Sequence, residues 1–419
     1  MSAKAGVTKE GMGQKMATIA GRTDDVLVEP VPKGLTRSGA VRLDAIDMLR
    51  GLVIALMVLD HVRDFFHVDA LAFDPTNPAK TTPILFATRW VTHLCAATFV
   101  FLAGVSIYFQ KANGKAGGTL AVFLVKRGLW LLLLEATIVT FAFNFGEPFL
   151  FLQVIWAIGA SMICMAALAQ LPARAVLAVG LAVLLGYPFV AAATANASGV
   201  WSVVRTLALA ANFYPSAHVL AAYAVIPWLA VMCIGFGLGP IYHLPRSERA
   251  RRLLVIAIGL LATFLILRGI DSYGDPAPWA PMPTTRQTVM AFLNVSKYPP
   301  SPDYVFATLG VSILLFLALE HLRGPAARLL PAYGRTPLFT YLLHIYLAHG
   351  LMLAVALAVG TPGAATNVLL GVLPPGVHWG YSLGVVYLIW LLVLALLAPL
   401  SFWFAGVKRR RRDWWLSYL

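Results

Sequence analysis

Residues 42–67 read RLDAIDMLRGLVIALMVLDHVRDFFH. The apolar stretch LVIALMVL at 52–59 lies between two clusters of charged residues. A helix over 46–66 is about 30 Å long at 1.5 Å per residue, which matches the hydrocarbon core of a bilayer. The stretch therefore predicts a membrane-spanning helix that carries ionisable side chains at both ends.

The composition extends this prediction to the whole chain. Of its 419 residues, 59% are hydrophobic and 12% charged, whereas a soluble domain is about half apolar and a quarter charged. These values exclude a soluble domain and a disordered chain, and three cysteines are too few for a disulfide scaffold. We predict an all-α polytopic bundle of about ten spanning helices, at about 46–66, 84–110, 120–143, 149–170, 173–195, 219–242, 251–270, 303–322, 335–359 and 379–406.

The net charge of +14 is concentrated in alternate loops and at the C-terminus. By the positive-inside rule this alternation predicts cytoplasmic N- and C-termini. We divide the chain into a flexible cytoplasmic tail (1–40), a transmembrane domain (41–407) and a basic-aromatic cytoplasmic C-terminus (408–419). The basic run at 408–412 is interpreted as an anchor at the lipid surface and not as a nucleic-acid site.

Arg50 and His61 are 11 residues apart, close to three helical turns, and therefore share one face of the first helix about 16 Å apart. An arginine binds phosphate through two donors, and histidine is the side chain suited to proton transfer near neutral pH. The pair predicts a path for a long anionic donor. In the alternative interpretation, Arg50 is an orientation anchor paired with Asp47, and His61 is an interfacial residue at the helix end.

Three motifs resemble known membrane acyltransferases. The first, Arg42-Leu43-x-x-Ile46-Asp47-x-x-Arg50-Gly51 followed by Met57-Val58, resembles the catalytic-domain signature of heparan-α-glucosaminide N-acetyltransferases and their short bacterial relatives of unknown substrate. Its Arg-x10-His spacing is also similar to that of the acyltransferase family 3 membrane enzymes. The resemblance continues at Phe99-Val100-Phe101-x-x-Gly104-x-Ser106 and at Gly334-Arg335-Thr336-Pro337-Leu338-x-x-Tyr341-x-x-His344. Together these motifs cover about 42–110 strongly and 333–350 moderately, and the middle of the chain matches only in hydropathy.

The resemblance implies an enzyme of the bacterial inner membrane. Acetyl-CoA would be the co-substrate, bound from the cytoplasmic side by Arg50, Lys126 and Arg127. Its acetyl group would pass to an amino sugar or a hydroxyl of a glycan on the outer face, directly or through an acetyl-histidine. No metal is expected.

The resemblance leaves two candidates for the catalytic base. In the glucosaminide enzymes the histidine considered catalytic lies in the loop after the first helix, where His67 is its nearest counterpart, and an asparagine stands in the position of His61. The family 3 pattern indicates His61 instead. We favour His61 and keep His67 as the alternative. Asp64 lies three residues from each and is expected to orient one of the two rings.

Further ionisable residues are predicted near this site. Arg89 and His93 share one face of the second helix and would bind the acceptor or the reacting carbonyl, or else form a structural link to Asp60 or Asp64. His344 falls on the family's recurring histidine position and is expected to line the acceptor site. Glu135 is interpreted as half of a buried structural ion pair.

A transporter or flippase for a glycan or lipid-linked precursor is the competing class of function. Such proteins often place their sites at broken helices, whereas the stretch 52–59 is unbroken. A membrane scaffold would leave the alignment of Arg50 with His61 unexplained. Membrane lipids are expected partners, nucleic acid is not, and formation of a homo-oligomer is left open.

Overall fold

The computed structural model describes residues 44–70, 72–145, 149–214, 218–366, 378–411, 413 and 416. The predicted tail at 1–40 lies outside this range, as do Arg42 and Leu43 of the first motif and half of the predicted segment 408–419.

The described chain is mainly helical. Its α-helices are α1 (Asp44–Phe66), α2 (Pro83–Thr92), α3 (Leu94–Ala112), α4 (Gly117–Leu134), α5 (Thr140–Phe143), α6 (Val154–Leu168), α7 (Ala173–Ala193), α8 (Val200–Leu209), α9 (Val225–Leu238), α10 (Arg246–Ile270), α11 (Thr285–Leu293), α12 (Pro302–Leu319), α13 (Pro325–Arg335), α14 (Pro337–Ala358), α15 (Gly363–Thr366) and α16 (Leu383–Arg410). A π-helical turn at Glu135–Val139 joins α4 to α5, and a 3₁₀ turn at Gly239–His243 follows α9.

Within the described residues, seven helical segments are long and apolar enough to cross a membrane: Pro83–Ala112, Ala173–Ala193, Val225–His243, Arg246–Ile270, Pro302–Leu319, Pro337–Ala358 and Leu383–Arg410. The other predicted spans correspond to α1, which is more charged than an ordinary span, to α4 with α5, and to the shorter α6. The chain is therefore a polytopic helical membrane protein. The number of spans and the side of the termini stay predictions.

Helix α1 lies in the interior of the bundle, where it contacts α3, α12, α13, α14 and α16. The helices α7, α10 and α16 instead expose large apolar side chains, such as Phe189, Val255 and Leu388. Apolar surface of this extent suits lipid and not water. Helix α1, which carries charged residues near both ends, is therefore shielded from lipid by its neighbours, in line with the cost of ionisable groups in a bilayer.

A small sheet is the main departure from the predicted all-α fold. Its strands are β1 (Leu150–Leu152), β2 (Asn212–Tyr214) and β3 (Val219–Ala221), in the order β1-β3-β2. Strand β3 pairs with β1 in parallel and with β2 antiparallel, so that Leu220 lies opposite Phe151 and Phe213. The predicted helices at 149–170 and 219–242 thus begin as strands, because short apolar runs have no periodicity that separates the two structures.

Glycines allow α13 to pack closely against α1. A Cβ atom at Gly51 would lie 1.9 Å from the carbonyl oxygen of Leu330, and one at Gly334 would lie 1.8 Å from that of Asp47. Arg335, at the end of α13, forms ion pairs with Asp44 (3.2 Å) and Asp47 (3.5 Å). The glycines of the first and third motifs are therefore needed for helix packing.

We predict that Gly51→Ala lowers the melting temperature of the purified protein in detergent. The new methyl group overpacks the contact with α13, which costs about 1–3 kcal/mol. Gly259→Ala in α10 is the matched control, because a Cβ atom there meets nothing within 4 Å and alanine favours the helix. Equal melting temperatures for the two variants would contradict the close contact.

Candidate active site

A cavity of 480 Å³, here called the Arg50 cavity, opens between α1, α3, α4, α6 and α14. Four cationic side chains line it: Arg50, Lys115, Arg127 and Lys408. Most of the remaining wall is apolar and includes Leu102, Ile158 and Met162. A cavity with clustered cations and a long apolar wall is suited to a ligand that joins phosphate groups to an apolar arm.

Arg50 is fixed by residues of two helices. Its Nη2 donates to the hydroxyl of Ser106 at 2.5 Å, and its Nη1 lies 3.3 Å from a carboxylate oxygen of Asp47. The side chain is 22% exposed. The first two sequence motifs therefore meet at this guanidinium. The structural pairing with Asp47 is present, and Arg50 nevertheless lines the cavity.

A second cavity of 320 Å³, here called the His61 cavity, lies at the other end of α1. Its ionisable lining residues are Asp60, His61, Arg63, Asp64, Asp74, Arg89 and Lys297. Aromatic rings complete much of the wall: Phe65, Phe143, Phe151, Tyr223 and Tyr298. Polar groups beside aromatic faces are suited to a polar ligand with apolar faces, such as a sugar ring.

The two cavities share three lining residues, Phe99, Val154 and Tyr341. Arg50 lines one cavity and His61 the other, although both belong to the continuous helix α1. The spacing of Arg50 and His61 predicts that they share one face of α1. The two cavities lie next to each other along this helix.

His61 is held by packing. Its ring lies edge-on to Phe143 with centroids 5.1 Å apart, and the ring of His344 lies 5.3 Å away. Across the described residues, no hydrogen bond to the His61 ring is formed. Its nitrogens are therefore available to a ligand in the cavity.

His344 lies behind His61 and is not among the residues that line either cavity. It is fully buried, and its Nδ1 is hydrogen-bonded to the carbonyl oxygen of Tyr341. Its Nε2 and the hydroxyl of Tyr341 have no hydrogen-bond partner in the described part of the chain. His344 thus reaches the site through its contact with His61, whereas Tyr341 lies on the wall that the cavities share.

His67 lies away from both cavities, just after α1, where it pairs with Tyr381 in a β-bridge. Its Nδ1 accepts a hydrogen bond from the backbone N–H of Asp69 at 3.1 Å. Burial lowers the pKa of the His67 imidazole. Asp64, predicted to orient one of the two imidazoles, instead accepts a hydrogen bond from Arg63 at 2.5 Å.

Asp60 is the centre of a buried charge network. One of its carboxylate oxygens accepts a hydrogen bond from Thr92 at 2.7 Å and lies 2.9 Å from Arg63 and 3.5 Å from Arg89. Arg89 thus forms the structural link to Asp60 that the sequence left open, and it also lines the His61 cavity.

His93, the partner expected beside Arg89, lies at the break between α2 and α3. Its Nδ1 is hydrogen-bonded to the carbonyl oxygen of Arg89 at 3.0 Å, and its own carbonyl accepts from the hydroxyl of Tyr304. The ring is buried and does not line the cavity. His93 keeps right-handed helical backbone angles and lies one turn after Arg89, but of the two side chains only that of Arg89 lines the cavity.

Glu135 has a structural role, but the predicted ion pair is wrong. Its two carboxylate oxygens accept hydrogen bonds from the backbone N–H groups of Gln153 (2.9 Å) and Trp156 (3.0 Å). These groups lie at the start of α6, where helix N–H donors lack partners within the helix. The fully buried carboxylate therefore caps α6.

The sequence interpretation missed several residues that line the two cavities, and it wrongly included one residue, Lys126, in the donor site. Lys115 and Lys408 join Arg127 in the Arg50 cavity, whereas Lys126 is exposed and does not line it. Lys297 and Gln153 line the His61 cavity. The sequence alone indicates that Lys126 and Arg127 do not both face one cavity, because adjacent residues of a helix point about 100° apart. No comparable signal exists for the loop residues.

A polytopic helical protein with a cationic cavity next to a histidine-containing one fits a membrane transferase that takes an anionic co-substrate. Residues 42–272 match the family model described as heparan-alpha-glucosaminide N-acetyltransferase, catalytic. The match covers more than half of the chain, which belongs to this family and is a membrane acetyltransferase. The match includes a large part of the middle segment that was expected to agree only in hydropathy, and it leaves out Gly334–His344. A comparison with curated proteins finds no match.

We predict that Asp60→Asn destabilises the protein far more than Asp64→Asn. Removing the charge of Asp60 leaves Arg63 and Arg89 buried without their shared partner, which costs about 3–5 kcal/mol. The Asp64 side chain is 48% exposed, and such a pair contributes about 1 kcal/mol or less. Thermal unfolding of the two purified variants measures the difference. Equal loss of stability would show that Asp60 does not organise the network.

Proposed function

We propose that this protein transfers the acetyl group of cytoplasmic acetyl-CoA to an amine or hydroxyl of a glycan, in first place an amino sugar, on the outer face of a bacterial inner membrane. One observation carries the proposal. The cationic Arg50 cavity and the His61 cavity share Phe99, Val154 and Tyr341, so that a donor in one cavity has its reactive end beside an acceptor in the other.

The Arg50 cavity supports acetyl-CoA as the donor. Coenzyme A carries phosphates at one end and a flexible, largely apolar arm at the other. Arg50, Lys115, Arg127 and Lys408 offer the charge that phosphates require. Apolar residues that line the cavity, such as Leu102 and Ile158, offer contacts for the arm. An arm bound there would bring the thioester to the residues that the two cavities share, among them Tyr341.

The His61 cavity supports general-base catalysis. His61 accepts a proton from the acceptor as the acceptor's nitrogen or oxygen attacks the thioester carbon. The carbon–sulfur bond then breaks, and the thiolate of coenzyme A leaves and is protonated. In a route through acetyl-His61, a nitrogen of the imidazole attacks the thioester first and the thiolate of coenzyme A leaves. The acceptor then attacks the acetyl carbon, and the imidazole leaves and takes up the acceptor's proton.

Two buried donors support stabilisation of the carbonyl oxygen in this step. Tyr341 is 4% and Gln153 is 6% exposed. The hydroxyl of Tyr341 and the side-chain nitrogen of Gln153 have no hydrogen-bond partner among the described residues. Tyr341 lies on the shared wall, and Gln153 precedes Val154, which also belongs to that wall. Unpaired donors at the position where an oxyanion forms lower the barrier to acyl transfer.

Helix α1 favours this reaction over transport. It runs without interruption from Asp44 to Phe66, whereas transporter sites are typically built at discontinuous helices near the membrane midplane. A continuous helix keeps Arg50 and His61 at a fixed separation, which suits a donor that spans the distance between them.

The donor site is tested with the neighbours Arg127 and Lys126. We predict that Arg127→Gln raises the KM for acetyl-CoA by about tenfold or more, because a charge-assisted hydrogen bond to phosphate contributes about 1.5–3 kcal/mol. Lys126→Gln is the matched control and leaves this KM unchanged. Transfer of labelled acetyl groups to amino sugars, with acetyl-CoA supplied to one face of sealed vesicles, measures both the KM and the sidedness. No labelled product and no binding of coenzyme A would disprove the proposed function.

The base is tested with the two histidines. We predict that His61→Ala lowers kcat by about 10²–10⁴-fold, the usual contribution of general-base catalysis, whereas His67→Ala retains kcat within about threefold because His67 does not line either cavity. Melting temperatures of both variants control for folding. A well-folded His61→Ala variant with full activity would exclude His61 as the base, and loss of activity in His67→Ala alone would assign the role to His67.

A further inference from the structure

Lys297 is a buried cation that the proposed reaction has not used. It lies between α11 and α12, is 6% exposed, and lines the His61 cavity. Its Nζ lies 5.0 Å from the ring centroid of Tyr298 and 5.9 Å from that of Tyr223. These aromatic faces attract the ammonium group and hold it at the cavity wall.

The carboxylates of the His61 cavity are occupied by other groups. Asp60 is bound by Arg63, Arg89 and Thr92, and Asp64 is bound by Arg63. Asp74 accepts two hydrogen bonds from Thr76, from its backbone N–H and its hydroxyl, both at 2.8 Å. None of the carboxylates in the described residues lies within 4 Å of the Lys297 ammonium.

The Lys297 ammonium contacts the rings of Tyr223 and Tyr298 and the Tyr298 hydroxyl, but no carboxylate of the described residues forms an ion pair with it. Placing such a charge away from water costs several kcal/mol unless a partner of opposite charge is present. The other cations of this cavity, Arg63 and Arg89, already have Asp60 as a partner. Among the described residues, Lys297 thus differs from Arg63 and Arg89 in having no carboxylate within ion-pair distance.

We infer that Lys297 forms an anion-binding subsite for the acceptor, which would therefore carry an acidic group besides its amine or hydroxyl. The inference rests on the proposed function, since it assigns the acceptor of the same cavity. A carboxylate and a phosphate offer the same chemistry to an ammonium group. The arrangement places this anion at the wall formed by Tyr223 and Tyr298, apart from the imidazole of His61 that takes the proton.

Three amino sugars that differ in charge test this subsite in the purified full-length protein: glucosamine, its 6-phosphate, and muramic acid, which carries a carboxylate. Binding of each is measured by calorimetry without donor, and transfer is measured with labelled acetyl-CoA. We expect at least one anionic sugar to bind about tenfold or more tightly than glucosamine, since a hydrogen bond to a charged group is worth about 1.5–3 kcal/mol. The preferred probe identifies the acid as phosphate or carboxylate.

Variants of Lys297 assign that preference to its ammonium group. Lys297→Gln is expected to abolish the preference for the anionic sugar, and Lys297→Arg to retain it. Lys80→Gln, which removes an exposed cation of an earlier loop, is the matched control and keeps the preference. Melting temperatures show whether each variant is folded.

The outcomes separate this inference from the proposed function. If wild-type protein acetylates glucosamine and both anionic sugars with equal affinity, the anion subsite is wrong and the acetyltransferase function stands. If no sugar is acetylated but an anionic one binds in a Lys297-dependent manner, the subsite stands and the proposed function fails. A folded Lys297→Gln variant that retains the wild-type preference for the anion overturns the subsite.

Discussion

The carboxylate of Asp47 faces two guanidinium groups, that of Arg50 in its own helix and that of Arg335 at the end of α13. Close approach of α13, permitted by Gly51 and Gly334, brings the second arginine to this carboxylate. The guanidinium of Arg50 also donates, through Nη2, to the hydroxyl of Ser106 on α3. This cluster joins three helices at one end of α1, and the geometry of the Arg50 cavity depends on it.

A comparable cluster fixes the other end of the helix. There Asp60 joins α1 to α2 through Arg89 and Thr92, and the ring of His61 packs between Phe143 and His344. Between the two clusters, α1 presents an uninterrupted apolar stretch. The helix therefore acts as a rigid spacer whose polar ends belong to different cavities, which is why one sequence motif carries residues of both.

Features set by local periodicity were predictable from the sequence. Within the described residues, seven of the ten predicted spans correspond to helical segments that are long and apolar enough to cross a membrane. The continuous helix α1 contains both Arg50 and His61, as their spacing predicts. Features set by distant parts of the chain were not predictable. The carboxylate of Glu135 is satisfied by N–H groups that lie beyond a strand and a loop, and Lys297 enters the His61 cavity only because its loop folds against Tyr223.

The wall made by Phe99, Val154 and Tyr341 has an electrical consequence. Where two aqueous cavities approach each other from opposite faces, the membrane potential falls mainly across the thin layer that separates them, and each unit charge crossing it exchanges about 2.3 kcal/mol per 100 mV. In the proposed reaction the acetyl group crosses this layer and leaves the thiolate of coenzyme A behind, while the phosphates remain with the cations on one side. No net charge crosses, because the proton that His61 takes from the acceptor passes back to this thiolate. Acetylation of an external glycan would then proceed at the same equilibrium in an energised cell and in a depolarised one.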